Sequence, residues 1–457
     1  MNPLNIVILA AGKGTRMHSE KPKVLHALAG RPLVQHVLDC AAALQPQQIC
    51  VVYGHGGEAV PQAMHQYQAK FVIQEPQLGT GHAVQQAMPH LADEGLTMVL
   101  YGDVPLIQQS TLRKMQQAGD GLVLLTVNLE NPTGYGRIIR NGQGDVLGII
   151  EEKDASPEQR KIREVNTGIV LAPTSKLREW LANLRSNNAQ GEYYLTDIAG
   201  MAVQQGIAVH TVQPAHEWEI HGINSKQQLA VLERTWQQVE ASRLLVHGVT
   251  LADPARIDVR GKLVCGHDVE IDVGCIFEGD VSLGSNVRVG AYSVIRNAAI
   301  ASGTIISPYS LVENSEVGAN CRIGPYARLR PGTKLHDDVH IGNFVEVKNS
   351  EIAANSKANH LSYIGDSTVG SRVNIGAGTI TCNYDGANKY RTVIEDDVFI
   401  GSDTQLVAPV TVCKGSTIGA GSTITKDTPA DELTLSRSKQ TTVSGWKRPT
   451  KQAKGEK

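Results

Sequence analysis

SEVGANCRIGPYARLRPGTKLHDDVHIGNFVEVKNS, residues 315–350, places an apolar side chain at every sixth position: Val317, Ile323, Leu329, Leu335, Ile341 and Val347. A helix repeats its apolar face about every 3.6 residues and an ordinary strand roughly every two, so a sustained six implies short strands joined by regular corners. The architecture with that period is a parallel β-helix, whose coils stack around one narrow buried column. The same step runs through Ile271, Phe277, Leu283, Val289 and Ile295, and again through Ile300, Ile306 and Val312. Five-residue steps from Val312 to Val317, Val347 to Ile352 and Ile364 to Val369 each require an altered corner or bulge to keep the apolar side chains inward. After Thr381 the pattern fails across CNYDGANKYRTV, residues 382–393, and resumes at Ile394, Ile400, Leu406, Val412, Ile418 and Ile424. The interruption predicts a projecting loop.

The first half reads differently. Apolar runs near residues 5–10, 49–53, 71–74, 98–101 and 122–127 alternate with helix-compatible segments, an α/β pattern. In an open parallel sheet the ligand crevice lies outside the strand C-termini, so Gly12 to Arg16, GHGG at 54–57 and Gly102–Asp103 can approach one site. From Asn224 to Val246, Leu229, Leu232, Trp236, Val239 and Val246 recur at helical steps and predict a long connecting helix. The chain therefore divides into an α/β domain over 1–226, a helical linker over 227–247 and a β-helix domain with a C-terminal tail over 248–457. Beyond Arg437 periodicity is absent, and Lys447, Arg448, Lys451, Lys454 and Lys457 read as a solvated end.

With 43 basic and 45 acidic side chains the net charge is −2, which provides no long-range field toward nucleic acid or an anionic membrane. Forty-five glycines beside only 4% aromatics suit tight corners around a thin aliphatic core. Seven dispersed cysteines without a CxxC pair argue against a zinc site or a disulfide framework. No run approaches the roughly 18 apolar residues of a membrane span. MNPLNIVILAAG lacks a basic residue before its apolar stretch and reads as a mature strand rather than a secretion signal. The expectation is a soluble, reduced, cytoplasmic protein.

LAAGKGTRM, residues 9–17, follows a predicted strand, and Lys23 follows in KPK. Its glycines permit close backbone approach to phosphate, and Lys and Arg supply charge-assisted donors. GxG alone is an ordinary turn, and the string is neither a complete GxGxxG nor a Walker loop. Asp103, at the end of a predicted strand, is a turn acid before Pro105 or a carboxylate holding magnesium against a phosphate. Asn224 is a second oxygen ligand or the cap of the connecting helix. His360 in KANHLSYIGD is a solvated coil-edge residue or a general base. Arg330 in RLRPG and Lys348 in VEVKNS are corner charges or anion contacts.

LAAGKGTRM with Lys23, QLGTGHA at 77–83 and YGDVP at 101–105 resemble the sugar-1-phosphate nucleotidyltransferases, which are Rossmann-like. With the β-helix added, nearly the whole chain is similar to the bacterial bifunctional N-acetylglucosamine-1-phosphate uridyltransferase and glucosamine-1-phosphate acetyltransferase family. That resemblance implies a Rossmann-like nucleotidyltransferase domain, a long connecting helix and a left-handed parallel β-helix of hexapeptide repeats, the handedness resting on it alone. It implies that Leu9, Ala10, Ala11, Gly12, Arg16 and Lys23 contact UTP and that Gln74, Gly79 and Thr80 surround the uracil. Tyr101, Gly102, Asp103, Gly136, Glu151, Asn166 and Asn224 would complete the UDP-sugar site, with Asp103 and Asn224 holding Mg2+. EEK sets two acids side by side, and choosing Glu151 rests on aligning IIEEKDA with the family motif, a solvent-facing acid being the alternative.

In the β-helix the resemblance makes His360 the general base and places Arg330, Lys348, Tyr363, Asn374 and Lys389 around a sugar phosphate. It puts Asn383 and Tyr384 beside the acetyl-transfer site, and Ala377, Ser402, Ala420 and Arg437 against acetyl-CoA. A homotrimer whose sites combine neighbouring chains is implied. The implied chemistry is acetyl-CoA-dependent N-acetylation of glucosamine-1-phosphate, then uridylyl transfer from UTP to N-acetylglucosamine-1-phosphate with release of pyrophosphate. By the same resemblance the product would feed peptidoglycan and lipopolysaccharide synthesis. Two other readings compete: a nucleotidyltransferase carrying a noncatalytic β-helix, and a nonenzymatic pair of ligand-binding scaffolds. His360 with the CNYDGANKY loop argues against the first, and LAAGKGTRM with Lys23 and Asp103 against the second.

Overall fold

The computed structural model describes residues 3–450, so Lys451, Lys454 and Lys457 of the basic end lie outside the described residues, while Lys447 and Arg448 are exposed. The chain forms two compact units that divide between Glu240 and Ala241.

The first unit is built on a mixed sheet in the order Val209–Val212, Leu122–Asn128, Glu164–Pro173, Leu96–Tyr101, Leu4–Ala10, Gln48–Tyr53, Lys70–Ile73. Leu4–Ala10 is central and parallel to both neighbours, whereas Glu164–Pro173 is antiparallel to both of its own. All seven residues of Leu4–Ala10 are buried, and covering on both faces gives a continuous apolar run instead of an alternation. Ile6 and Ile8 pack with Val37, Val51 and Leu100 on one side, Val7 and Leu9 with Val84, Val99 and Trp180 on the other. Parallel pairing aligns the ends of Leu4–Ala10, Gln48–Tyr53 and Leu96–Tyr101 at one edge. A hairpin of Gly136–Arg140 and Val146–Ile150 attaches to Val165 and Asn166.

The expected connecting helix spans Lys226–Val246. Its Leu232 packs with Met17, Leu28 and Leu33 in the first unit, and its Ala241 and Leu244 belong to the core of the second. Val239 and Val246, counted among its periodic apolar positions, are exposed.

The second unit is a parallel β-helix. Register carries Arg322 onto His340, His340 onto Lys357 and Lys357 onto Asn374, one coil per 17 or 18 residues. One sheet of 11 strands forms one face, and a second sheet of 16 covers the other two because long early strands bend around a corner. In Val294–Ile300, for example, the first half pairs with Leu311–Glu313 and the second with Ser315–Val317. The six-residue positions from Val317 to Val347 and from Ile394 to Ile424 are all buried, each fully buried aliphatic side chain contributing about 1.5–3 kcal/mol. The five-residue steps cross Asn314, Asn349 and Asp366, each in the left-handed conformation that Asn and Asp tolerate well. A neighbouring corner uses Tyr292, Tyr309, Tyr326 and Phe344 in the same conformation, their rings stacked 5.1–5.5 Å apart.

The predicted interruption is one lengthened coil. Asn374 pairs with Phe399, 25 residues on, and the excess lies between Ile380–Cys382 and Thr392–Ile394. Its tip closes on itself: Tyr384 bridges Lys389, and Asp385 Oδ1 accepts from the backbone N–H groups of Ala387 and Asn388.

Candidate functional site

At the C-terminal edge of the first unit's sheet lies a cleft of about 450 Å³. Leu9, Ala10, Ala11, Gly12, Lys23, Gln74, Gly79, Thr80, Tyr101 and Asp103, all chosen from sequence, line it. Gly102 lies beneath, its N–H donating to the Leu9 carbonyl at 2.9 Å. Gln74 Nε2 donates to the Gly79 carbonyl at 2.9 Å, tying the strand end to the loop that opens helix Thr80–Ala87. Lys13, Gln77 and Glu192 also line the cleft and were not singled out. Gln77 Nε2 donates to the Ala11 carbonyl at 2.7 Å and so braces the glycine loop. Its signal was an amide at the head of QLGTGHA; Glu192, far along the chain, had none. Arg16 is exposed in the turn Thr15–Met17 and does not line the cleft.

Lys23 is the centre of the polar end. Its Nζ donates to Asp103 Oδ2 and, at 2.8 Å, to Asn224 Oδ1. Gly14 makes this possible: its φ of 61° is left-handed, and a Cβ there would stand 2.7 Å from Lys23 Cβ. Ile223 N–H donates to the Asp103 carbonyl at 2.9 Å, which brings Asn224 beside Asp103. The helix-cap alternative for Asn224 fails, because Ser225 Oγ accepts from Gln228 N–H instead. Gln228 Oε1 in turn accepts from Asn224 N–H and leaves the Asn224 carboxamide facing Lys23.

Beyond Tyr101 stand Gly136, Glu151 and Asn166. Gly136 pairs with Asn166, and a Cβ on it would come within 3.5 Å of the Glu151 carboxylate. Burial pushes the Glu151 carboxyl up, opposed by a 3.0 Å hydrogen bond from Thr196 Oγ1 and reinforced by Asp154 and Asp197. Burial, then the Glu151 and Asp103 charges, push the Tyr101 phenol up, so the ring adjoins both acids. The two acids of EEK separate: Glu151 faces Tyr101, while Glu152 pairs with Arg137 at 3.8 Å. Asn166 Oδ1 is buried without a hydrogen-bond partner, an arrangement that a ligand donor would relieve.

In the second unit, register stacks Arg330, Lys348 and Gly365 on consecutive coils. Gly365 gives room to Tyr363, whose ring and hydroxyl a Cβ there would overlap. Asn383, from the lengthened coil, donates to Asp366 Oδ2 at 2.5 Å and to Tyr363 Oη at 3.4 Å. Arg330 is paired with Glu346 at 2.8 Å. Lys348 is not so compensated: Lys389, and then Arg330, press its ammonium below the usual lysine range. A phosphate dianion would relieve that repulsion. Asn374, expected with these cations, sits on the other sheet in register with Lys357 and Phe399. Tyr384 is exposed, with its hydroxyl donating to the Gly386 carbonyl within its own loop.

His360 begins a second line. Because Ala358, Ile375, Ile400 and Ile418 are in register, His360, Ala377, Ser402 and Ala420 stack one per coil on the same corner. At about 4.8 Å per coil this line extends roughly 14 Å. At its far end Arg437 Nη1 donates to the Ala420 carbonyl at 2.8 Å. An imidazole, a shelf of small side chains and a terminal guanidinium in one line suit an elongated ligand with an anionic end.

Family models match three stretches: the MobA-like NTP transferase domain over residues 6–149, the GMPPB C-terminal domain over 259–341, and the bacterial transferase hexapeptide (six repeats) over 391–426. The bifunctional protein GlmU of Herminiimonas arsenicoxydans is 64% identical over 450 residues, 98% of this chain and 99% of that protein. The proteins of that name from Nitrosospira multiformis and Azoarcus sp. are 63% identical over 457 residues (99% of each chain) and 64% identical over 451 residues (98% of this chain and 100% of the relative). Identity at this level across the cleft, the helix and the coils alike means that the chain belongs to the GlmU family of bifunctional proteins.

Proposed function

We propose that the β-helix transfers an acetyl group from acetyl-CoA to the amine of glucosamine-1-phosphate and that the Rossmann-like unit then joins the acetylated sugar phosphate to the uridylyl group of UTP. As a GlmU family member the chain is a bifunctional acetyltransferase and uridyltransferase of UDP-N-acetylglucosamine synthesis, which supplies the cell wall. We assign the uridyltransferase to 1–226, the linker to 227–247 and the acetyltransferase to 248–457. The observation that carries the acetyl-transfer assignment is the line from His360 through Ala377, Ser402 and Ala420 to Arg437.

His360 accepts a proton from the sugar amine as its nitrogen bonds to the thioester carbonyl carbon. The carbon–sulfur bond then breaks, the thiolate is protonated, and an amide and free CoA remain. Lys348 and Lys389, with Arg330 and Tyr363, hold the sugar phosphate. The position of Asn374 on the other sheet supports an assembly, a homotrimer in the family resemblance, in which a neighbouring chain completes the site. In the first unit a phosphate oxygen of N-acetylglucosamine-1-phosphate attacks the α-phosphorus of UTP and pyrophosphate leaves. Lys23 and backbone donors of the glycine loop balance the charge, and Asn166 and Glu151 orient the sugar.

The donor set of Asp103 and Asn224 fits Mg2+: two hard oxygens converge on one cation, with neither imidazole nor thiolate among them. When bound, Mg2+ neutralises phosphate charge there. All seven cysteines are free, which supports a reducing, cytoplasmic setting. Among the described residues no helix is long and apolar enough to cross a membrane.

With acetyl-CoA and glucosamine-1-phosphate the protein should release free thiol without UTP, and with UTP and Mg2+ added it should release pyrophosphate. His360→Ala should lose thiol release by about 10²-fold or more and still produce pyrophosphate from preacetylated sugar. Wild-type thiol release by that variant would remove His360 from the role of base.

A further inference from the structure

We propose that Asn343 is the positioning residue of the acetyl-transfer site, fixing the ring and the tautomer of His360. The proposal rests on His360 being the base and goes beyond it by naming what makes the imidazole competent. Asn343 stands directly before His360 in the stacked line, one coil earlier, and the two are in register. Asn343 Oδ1 lies 2.9 Å from His360 Nδ1. An amide oxygen only accepts, so Nδ1 carries the hydrogen and the free lone pair is at Nε2. Register places Pro325, Pro308 and Ala291 on earlier coils of the same line and Ala377 on the next, so Asn343 is the side chain beside His360 that anchors the ring.

The line offers no such anchor elsewhere. Ala377, Ser402 and Ala420 continue it away from His360 as small residues, which leaves the Nε2 side of the imidazole open to a substrate. The backbone at Asn343 is secured separately: its carbonyl accepts from Leu361 N–H at 3.1 Å, a bond that any residue at 343 would keep. Loss of the carboxamide therefore releases the ring without opening the coil.

The choice of a neutral anchor has a chemical consequence. A carboxylate at this position would favour the imidazolium and occupy the base with a proton, whereas an amide orients the ring without adding that charge. The ionisable groups near His360 are His340, one coil earlier on the same sheet and sensitive to the His360 charge, and Lys357 on its own strand. In the reaction Nε2 takes the proton from the sugar amine while Nδ1–H stays bonded to Asn343. The transient imidazolium then gives the Nε2 proton to the departing thiolate, so protons balance and Asn343 exchanges none.

The test uses the full-length protein and follows thiol release from acetyl-CoA with glucosamine-1-phosphate across pH, with pyrophosphate release from preacetylated sugar and UTP as a measure of the other unit. Asn343→Leu should lower kcat for thiol release roughly tenfold or more with KM within about twofold. Asn343→Asp, nearly isosteric, should restore the ring's orientation but shift the acidic limb of kcat/KM upward by about one pH unit, because the carboxylate raises the imidazole pKa. Wild-type kcat in Asn343→Leu, or an unmoved acidic limb in Asn343→Asp, would overturn the proposal. If Asn343→Leu disturbs folding, Asn343→Asp still decides through its limb. His360→Ala separates the two readings: if it is inactive while Asn343→Leu is normal, only the positioning role is lost, and if it releases thiol at the wild-type rate the base itself is wrong.

Discussion

Lys23 occupies the point at which the oxygens of Asp103 and Asn224 converge, so it and a divalent cation compete for the same two donors. Lys23→Met should tighten Mn2+ binding to nucleotide-free protein severalfold, measured calorimetrically, while lowering uridylyl transfer by roughly 10² because a phosphate loses its cation. Weaker Mn2+ binding in the variant would mean that the lysine supports the metal rather than opposing it. His36 shows a different use of burial. Enclosed beneath Trp236, its ring contacts the Leu28 carbonyl at 2.8 Å, and burial first, then Arg31, lowers its pKa to about 4. In the unfolded chain it returns to an ordinary value near 6.5. The unfolded state therefore binds more protons between those values, and stability falls as pH drops from about 6.5 toward 4. Between pH 7 and 5 the first unit should lose about 2 kcal/mol from this group, and His36→Gln should flatten that slope in urea titrations.

At the scale of elements, the lengthened coil and its neighbours are distinct in purpose. Its extra residues lie outside the column, whose inward side chains at Thr381 and Ile394 are buried on either side of it. Replacing Tyr384 to Lys389 by a short Gly-Ser link should leave the β-helix melting temperature within a few degrees and raise KM for glucosamine-1-phosphate, since Lys389 is removed from Lys348. A large fall in melting temperature would show that the loop supports the coil. Gly365 is the complementary case. Alanine there would meet the Tyr363 ring and its hydroxyl, which accepts from Asn383, so the side chain must swing away from that partner and the phenol is displaced while the backbone of the coil is kept. Steady-state kinetics of Gly365→Ala should show KM for the sugar phosphate raised several-fold and little change in the melting temperature.

At the scale of the molecule, each unit has its own core, and the reactions attributed to them draw on different residues. A cavity in one core should therefore leave the other's chemistry intact. Ile341→Ala, at a fully buried six-residue position, should cost the β-helix about 2–5 kcal/mol. Calorimetry should show that loss in one transition, with pyrophosphate release from preacetylated sugar preserved. Much of this organisation is legible along the chain, because period six means that each apolar residue reports its own burial, as Ile323 and Ile341 do. Strand Leu4–Ala10 and the glycine loop that follows it are equally local. Asn224 was ambiguous for the opposite reason: its role depends on Asp103, distant in sequence, and on Ser225 taking the cap.

The sequence by itself determined two architectures, the connecting helix, the interrupted coil and the motifs around Lys23 and His360, since periodicity and short-range spacing are properties of neighbouring residues. Tertiary structure decided the rest. It separated Glu151 from Glu152, left Arg16 outside the cleft and set Asn374 on a different sheet from Lys348. It also drew Asn343, His360, Ala377, Ser402 and Ala420 into one line. Small side chains carry no pattern of their own, and their alignment depends on the exact residue count of every coil, the 25-residue one included. Only the closed register, in which each coil hydrogen-bonds to the next, converts those counts into neighbours in space.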